Sequence, residues 1–459
     1  MLNNTVFKAY DIRGKWGEEI DEDGVMVIID SIVATFKDEL KGANLVINCG
    51  FDMRNESKIV YQIALSRLQE LGCQVIDIGM CPTSTAYFAI STMESNCAIQ
   101  VTASHNPSGY MGIKPFCKVE NKIIKLSGLK VLEKLNFPNQ TRDGIGSYKK
   151  VDNIIGKEVD FVIENYPKIN SNHKIVVDTA NGMGVTLWQN LESKTELKIE
   201  YLNSTLDGTF PNHLSDTLQH KFWTNLCEDV RNKNAKFGIA TDGDGDRIAF
   251  ISEKGEFIPN SLVTCILIDA LHKSIGIKSA QVDIRSILNV VKLTKNLGIN
   301  LHIGPVGHAK ITQKMNSDNI DFSGESSGHY FFSSRGGAES ILDVLYLFLV
   351  ALENFTCVSE MVSHFQSAHE KPELNFVMPN NLSKEKIFEI LKSGEENAIV
   401  STLDGITFDY DTWRYNVRTS NTEPVLRLNI ESSDKNILEK ENSRIVEILL
   451  NLGCTYYSH

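Results

Sequence analysis

Cys97-Ala98-Ile99-Gln100-Val101-Thr102-Ala103-Ser104-His105-Asn106-Pro107 is the stretch on which the reading of this chain turns. Its first five residues form a short apolar run of the kind found in a buried strand, and Asn106-Pro107 forces a turn directly after it. A strand that stops at a Ser-His pair presents a hydroxyl at the sheet's edge with an imidazole alongside. Ser104 is therefore the candidate covalent centre. A serine before a turn is ordinarily a turn or capping residue; what raises Ser104 above that is the chemistry of the loops elsewhere in the chain.

Upstream, Leu45-Val46-Ile47-Asn48 reads as a strand running into Gly50-Phe51-Asp52-Met53-Arg54. Between residues 57 and 71, Ile59, Val60, Ile63, Ala64, Leu68 and Leu71 recur at helical spacing until Gly72, and Val75-Ile76-Asp77-Ile78 is the next strand. Strand, helix, strand in this order predicts parallel pairing with a crossover helix, so the fold class is α/β. The pattern returns twice. Lys174-Ile175-Val176-Val177-Asp178 runs into a glycine turn and a helix, and strands follow at 237–240 and 247–251. A helix over 261–271 then precedes strands at 281–284, 301–303 and 321–323. Residues 366–374 break the pattern and read as a linker. Beyond it, helices at 383–391 and 437–450 with strands near 405–408, 414–417 and 425–430 make an α+β unit.

At 459 residues the chain is too long for one core, and three or four domains are expected. A net charge of −12 argues against nucleic acid as a partner, because phosphate backbones need a basic face. The nine cysteines include no Cys-x-x-Cys pair, which fits reduced thiols in the cytosol rather than a disulfide framework or zinc site. The N-terminus lacks a basic-then-apolar signal pattern. The longest apolar run, residues 344–352, is far short of the roughly 20 residues that span a bilayer. A cytoplasmic chain with no membrane partner is expected.

Four loops carry chemistry. Asp242-Gly243-Asp244-Gly245-Asp246-Arg247 places three carboxylates two residues apart, able to fold their oxygens around one hard cation. A calcium EF-hand is excluded because its sixth position should be Gly and is Arg247, and because the flanks read as strands. Three protein carboxylates leave coordination open for a phosphoryl oxygen, which suits Mg²⁺. Gly324-Glu325-Ser326-Ser327-Gly328-His329 sets Glu325, Ser327 and His329 at alternate positions, a surface for hydroxyl recognition. Arg418-Thr419-Ser420-Asn421-Thr422-Glu423-Pro424 combines a guanidinium, hydroxyls and backbone N–H groups in one turn, the chemistry of a phosphate cradle. Lys114 follows a loop with two glycines that folds back to bring an ammonium near Ser104.

These loops, in this order and spacing, resemble the α-D-phosphohexomutase superfamily, and within it the phosphomannomutase/phosphoglucomutase branch. Phe7-Lys8-Ala9-Tyr10-Asp11-Ile12-Arg13-Gly14 and Asp207-Gly208-Thr209-Phe210-Pro211-Asn212-His213 are similar to further family segments. The resemblance covers the whole chain and implies four domains around a central cleft, three with related mixed α/β cores and a C-terminal α+β domain. Their expected bounds are 1–150 for the phosphoserine loop, 151–255 for the metal loop, 256–368 for sugar recognition and 369–459 for phosphate binding.

The resemblance further implies an intramolecular phosphotransferase of the isomerase class. Phosphate would rest on Ser104, with Mg²⁺ held by Asp242, Asp244, Asp246 and a phosphoryl oxygen on Ser104. A hexose 1,6-bisphosphate would be both intermediate and activator. Arg13 and Arg247 would stabilise charge, with Lys114, His308 and His105 as proton-transfer groups. Arg418, Ser420, Asn421, Thr422 and Arg285 would grip the non-reacting phosphate. Glu325 and Ser327 would hold the 3- and 4-hydroxyls, with His329 beside them and Tyr10 lining the cleft.

Three departures from the family pattern, Ser326, Met111 and Leu214-Ser215-Asp216, remove no catalytic group. The expected reaction is the interconversion of mannose 6-phosphate and mannose 1-phosphate by a monomer or dimer acting on small hexose phosphates. The alternatives are a phosphoglucomutase or a dual-specificity enzyme and, further off, a phosphoglucosamine mutase, a phosphohydrolase or a silent sugar-phosphate-binding protein.

Overall fold

A computed structural model describes residues 2–135, 145–169, 172–419 and 425–457. Strand Cys97–Val101 is buried at every position because it lies inside a seven-stranded sheet. On one side it runs parallel to Val46–Phe51, which in turn runs parallel to Gln74–Met80. Helix Asn55–Glu70 makes the crossover and buries Val60, Ala64 and Leu68, residues four apart on one face. This is the parallel unit that the apolar spacing predicts.

The other neighbour of Cys97–Val101 corrects the reading of Lys114. Residues 110–119 form one long strand, Tyr110–Val119, antiparallel to Cys97–Val101 with Gln100 opposite Lys114. Lys114 is delivered by strand register, not by a folded-back loop. Gly112 permits this, since a Cβ there would stand 2.4 Å from the carbonyl oxygen of Thr102.

The second unit has a four-stranded sheet in the order Ile248–Ser252, Phe237–Thr241, Lys174–Asp178, Lys198–Leu202. Only the first pair is antiparallel, so the acidic loop is the tip of a hairpin. The third unit sets Asn300–Gly304, Ser279–Asp283 and Phe322–Gly324 in parallel, then turns back through Tyr330–Phe332. The apolar run is helix Ile341–Leu352, buried almost all round because the second and third units share one core. In that core Phe348 stacks on Phe250 at 4.1 Å between ring centroids. Among the described residues no helix is long and apolar enough to cross a membrane. All nine cysteines carry free thiols.

The last unit is an antiparallel sheet backed by helices Lys384–Ser393 and Lys435–Asn451, with its own core. Here the linker reading needs correction. Of residues 366–374, His369–Glu370 is already a strand of this sheet, and Leu374 opens another, Leu374–Val377; both pair with Val425–Ser432. A clasp joins this unit to the third. Arg414 Nη1 donates to the carbonyl of Ile284 (2.8 Å), and Glu431 accepts the backbone N–H groups of Ile287 and Leu288 (2.7 and 3.0 Å).

The first three units meet around Glu158. Its Oε2 accepts from Thr85 (2.6 Å), while Oε1 is buried without a hydrogen-bond partner. Burial raises its pKa to about 7 in spite of nearby Arg335. Between pH 4.5 and 7 the folded chain therefore holds a proton that the unfolded chain has released, and stability falls as pH rises through that window. Glu158→Gln keeps an oxygen for Thr85. It should flatten the pH dependence of the melting temperature and raise it at pH 8, by no more than about 3 kcal/mol in stability.

Candidate active site

The serine loop is held in a costly conformation by its neighbours. Ser104 is 3% exposed and has φ +52°, in the left-handed region that a non-glycine residue enters at a cost. Its backbone N–H donates to Thr102 Oγ1 (2.9 Å), and Thr102 donates to Asp52 Oδ2 (2.6 Å). Arg54, paired with Asp52, then donates to three carbonyls of the loop: Ser104 (2.7 Å), Asn106 (2.5 Å) and Pro107 (2.9 Å). The Phe210 ring covers the guanidinium at 4.8 Å, which gives the 207–213 segment its place in the structure. Arg54→Met leaves Asp52 buried and unpaired and should cost about 3–5 kcal/mol. Thermal unfolding should register that loss, together with a fall in activity that added substrate does not restore.

The acidic hairpin tip lies against this loop. A Cβ at Gly243 would stand 2.7 Å from the Ser104 carbonyl oxygen and 2.9 Å from Ser215 Oγ, so only glycine permits the approach. Ser104 Oγ is 3.5 Å from Asp242 Oδ2 and 3.2 Å from His105 Nδ1. Carboxylate oxygens of Asp242, Asp244 and Asp246 all lie within 4.8 Å of one another, and all three residues are buried. Asp242 Oδ1 accepts the N–H groups of Asp246 and Arg247 (3.1 Å each). Lys114 Nζ donates to Asp244 and Asp246 (2.7 Å each). Thr83, at the start of helix Thr83–Thr92, adds its hydroxyl to Asp244 Oδ2 (2.5 Å).

The electrostatics of this triad suit it to a cation. Burial, Asp246 and Asp244 together push the Asp242 carboxyl well above the usual carboxylate range. Against the same burial, Lys114 keeps Asp244 and Asp246 ionised. Asp244 Oδ1 is buried with no hydrogen-bond partner. An all-oxygen donor set in which Asp244 Oδ1 and Asp246 Oδ1 both lack a hydrogen-bond donor fits a hard divalent ion.

The third unit closes the site. Glu325 Oε2 accepts from Ser327 Oγ (2.6 Å) and His329 Nδ1 (2.8 Å), and Oε1 accepts the Gly307 N–H (3.0 Å). Burial would lower the His329 pKa, but Asp246 and Glu325 raise it to about 9. The two carboxylates hold the His329 ring toward its protonated form, against the Arg247 Nε–H that stands 3.2 Å from its Nε2. The ring's Nδ1 serves Glu325, and its Nε2 lies 3.2 Å from Asp246 Oδ1, which ties the second unit to the third. Arg247 lies beside this pair, 3.8 Å from both Asp242 and Asp216. His105 and His308 go the other way. Burial and Arg247 take His105 to about 3, and burial with Lys125 and His329 holds His308 well below its usual value. Both rings are neutral, and His308 Nδ1 is buried without a partner. Tyr10 packs on His308 at 5.0 Å between ring centroids.

Arg13 joins through the serine loop, donating to Asn106 Oδ1 (2.5 Å) and pairing with Asp11. Arg285 donates to both oxygens of Asp283 (2.9 and 3.1 Å) and lies 3.6 Å from Glu325. Arg418 stands with it through Glu373, 3.1 Å from Arg418 and 4.0 Å from Arg285. Ser420, Asn421 and Thr422 lie outside the described residues. The sequence reading missed Asp52, Arg54, Thr83 and Glu373. Asp52 and Arg54 had a signal, being charged residues directly after a parallel strand, where α/β sheets place their ligands. Glu373 had none, since it sat in apparent linker.

A multidomain α/β chain whose first three units each lend a loop to one polar site has the architecture of an enzyme. Comparison with known proteins assigns each unit in turn. Family models described as phosphoglucomutase/phosphomannomutase, alpha/beta/alpha domains I, II and III match residues 4–135, 156–255 and 259–368, and the C-terminal domain model matches 373–448. The chain belongs to the phosphoglucomutase/phosphomannomutase family. A phosphomannomutase of Vibrio cholerae is 32% identical over 462 residues, covering 98% of each chain. A phosphomannomutase/phosphoglucomutase of Pseudomonas aeruginosa is 29% identical, covering 96% of this chain and 94% of its own. The crystal structure of a phosphoglucomutase/phosphomannomutase family protein from Burkholderia thailandensis superposes with a TM-score of 0.87 at 24% identity, covering 99% of this chain and 100% of its own.

Proposed function

We propose that this chain is a phosphomannomutase that interconverts mannose 6-phosphate and mannose 1-phosphate through phospho-Ser104 and a bound hexose 1,6-bisphosphate, with glucose phosphates as second substrates. The observation that carries the reading is the placement of Ser104 Oγ 3.5 Å from Asp242 Oδ2, at the edge of the buried acidic triad. In the forward step the bond between phosphorus and Ser104 Oγ breaks as one forms to the free hydroxyl of the hexose phosphate; that hydroxyl's proton passes to a base and the serine oxygen takes one up. In the return step the bond between the other phosphorus and its sugar oxygen breaks as one forms to Ser104 Oγ; the serine proton leaves and the freed sugar oxygen is protonated.

Phosphoryl transfer is chiefly positioning and charge stabilisation. Mg²⁺ held by Asp242, Asp244 and Asp246 would supply charge to the transferring group. Arg247 and Arg13 add positive charge around Ser104. Asp244 and Asp246 hold Lys114 charged against the cost of its burial, so its ammonium adds fixed positive charge beside Ser104 and is a weak acid. The neutral rings of His105 and His308 keep a ring nitrogen open to a proton, as weak bases. Glu325, Ser327 and His329 offer acceptors and donors to sugar hydroxyls, and Arg418 and Arg285 would take the non-reacting phosphate. A cytoplasmic site of action on small hexose phosphates, as monomer or dimer, completes the proposal.

Glu325 and Ser327 would read the 3- and 4-hydroxyls, which mannose and glucose share, and neither is assigned to C2. With Mg²⁺ and a bisphosphate activator, kcat/KM for mannose 1-phosphate and glucose 1-phosphate should agree within about tenfold, with glucosamine 1-phosphate well below both. Inorganic phosphate should stay near zero. Its release in step with substrate loss would identify a phosphohydrolase instead.

A further inference from the structure

Arg418 and Arg427 are directly opposed on neighbouring strands, Trp413–Thr419 and Val425–Ser432. Two like charges in register on adjacent strands repel, and partial burial of both worsens the cost. The group set against them is Glu373. Its Oε2 is 3.1 Å from Arg418 Nη2 and 4.0 Å from Arg285 Nη1, and its Oε1 is 3.3 Å from Arg427 Nη1. One carboxylate thus stands among three guanidiniums, one from the third unit and two from the fourth. Burial would raise its pKa, but Arg418, Arg285 and Arg427 more than offset that and keep it ionised. Three arginines around one anion is a geometry suited to a phosphate dianion. Here the anion comes from the chain itself, on the segment between His369–Glu370 and Leu374–Val377 that enters the fourth unit.

We propose that Glu373 is an internal competitor for the substrate's phosphate: its carboxylate holds Arg418 and Arg427 at rest, with Arg285 4.0 Å away and tied to Asp283, and weakens the cluster's grip on an incoming phosphate. The inference rests on the mutase reading, in which one cradle binds a phosphate, releases it and binds the other end of the same bisphosphate. A cradle of bare arginines would hold too tightly to let go. A resident carboxylate able to take back the guanidiniums lowers the cost of each release.

The test uses the full chain in a Ser104→Ala background, where binding is read without transfer. Calorimetric dissociation constants for inorganic phosphate and for mannose 1-phosphate are compared with and without Glu373→Gln. Glutamine keeps the shape and removes the charge that offsets the arginines, so the melting temperature of each variant is measured without ligand alongside binding; Glu373→Ala serves as a second variant. Both ligands should bind about tenfold tighter in each variant. With Ser104 restored, KM and kcat for mannose 1-phosphate should fall together, because turnover then waits on release. Unchanged or weaker binding with an unaltered melting temperature would overturn the inference and leave Glu373 as an organiser of the arginines. If the Ser104→Ala parent binds phosphate but not mannose 1-phosphate, the functional reading fails, while the inorganic phosphate comparison still decides the role of Glu373.

Discussion

Ser104→Ala should reduce mutase turnover on the order of 10⁴-fold or more while leaving hexose-phosphate binding within a few-fold of wild type. The size follows from the site. Ser104 Oγ is the hydroxyl beside the acidic triad, 3.5 Å from Asp242, and the loop that carries it is pinned by Arg54 through three carbonyls. Alanine keeps that backbone and removes only the atom proposed to accept phosphate. Its φ of +52° is as unfavourable for alanine as for serine, so the melting temperature should move little. Intact-mass measurement should show a phosphorylated fraction in active wild type and none in the variant. Wild-type turnover by the alanine enzyme would remove Ser104 from the reaction.

Asp242→Asn should lower activity by roughly 10²–10³-fold and weaken divalent-cation binding. Its second signature is opposite in sign. The triad packs three carboxylates into a buried space with Lys114 as the ammonium that bridges the other two. Asp246 and Asp244 disfavour a charge on Asp242, so neutralising it relieves repulsion and the melting temperature without metal should hold or rise. The increase that added Mg²⁺ gives the wild type should shrink. A variant simply damaged in folding would instead melt lower under both conditions. Calorimetric titration with Mg²⁺ or Mn²⁺ reads the affinity directly, whatever the activity.

Parts of this arrangement were open to reading from local pattern. Cys97–Val101 runs over the residues its apolar stretch marked, and its parallel neighbours follow from strand, helix, strand spacing. The acidic loop is a hairpin tip because its flanks are short apolar strands. Tyr110–Val119 was not legible as a strand. Gly112 and Pro115 are poor strand residues, and a buried Lys114 contradicts burial until partners are supplied. Those partners come from Asp244 and Asp246, 130 and 132 positions away. Residues 366–374 misled in the same way, since Pro372 and the charges around it look like linker until the strand at Val425–Ser432 is present to pair with them.

By itself the sequence determined the chemistry available: a serine at a strand's end, three alternating aspartates, a polar stretch with Glu325, Ser327 and His329, and an arginine at residue 418. These depend on residue type and on neighbours a few positions away, and local forces decide them. Tertiary structure alone decided which of these groups carry charge and what each one faces. Lys114 is held protonated and His329 toward its protonated form, His105 and His308 are neutral, and Glu373 stands among three arginines, because burial and the fields of groups from distant segments set those states. Such fields fall off with distance through space, and distance along the chain carries no record of them.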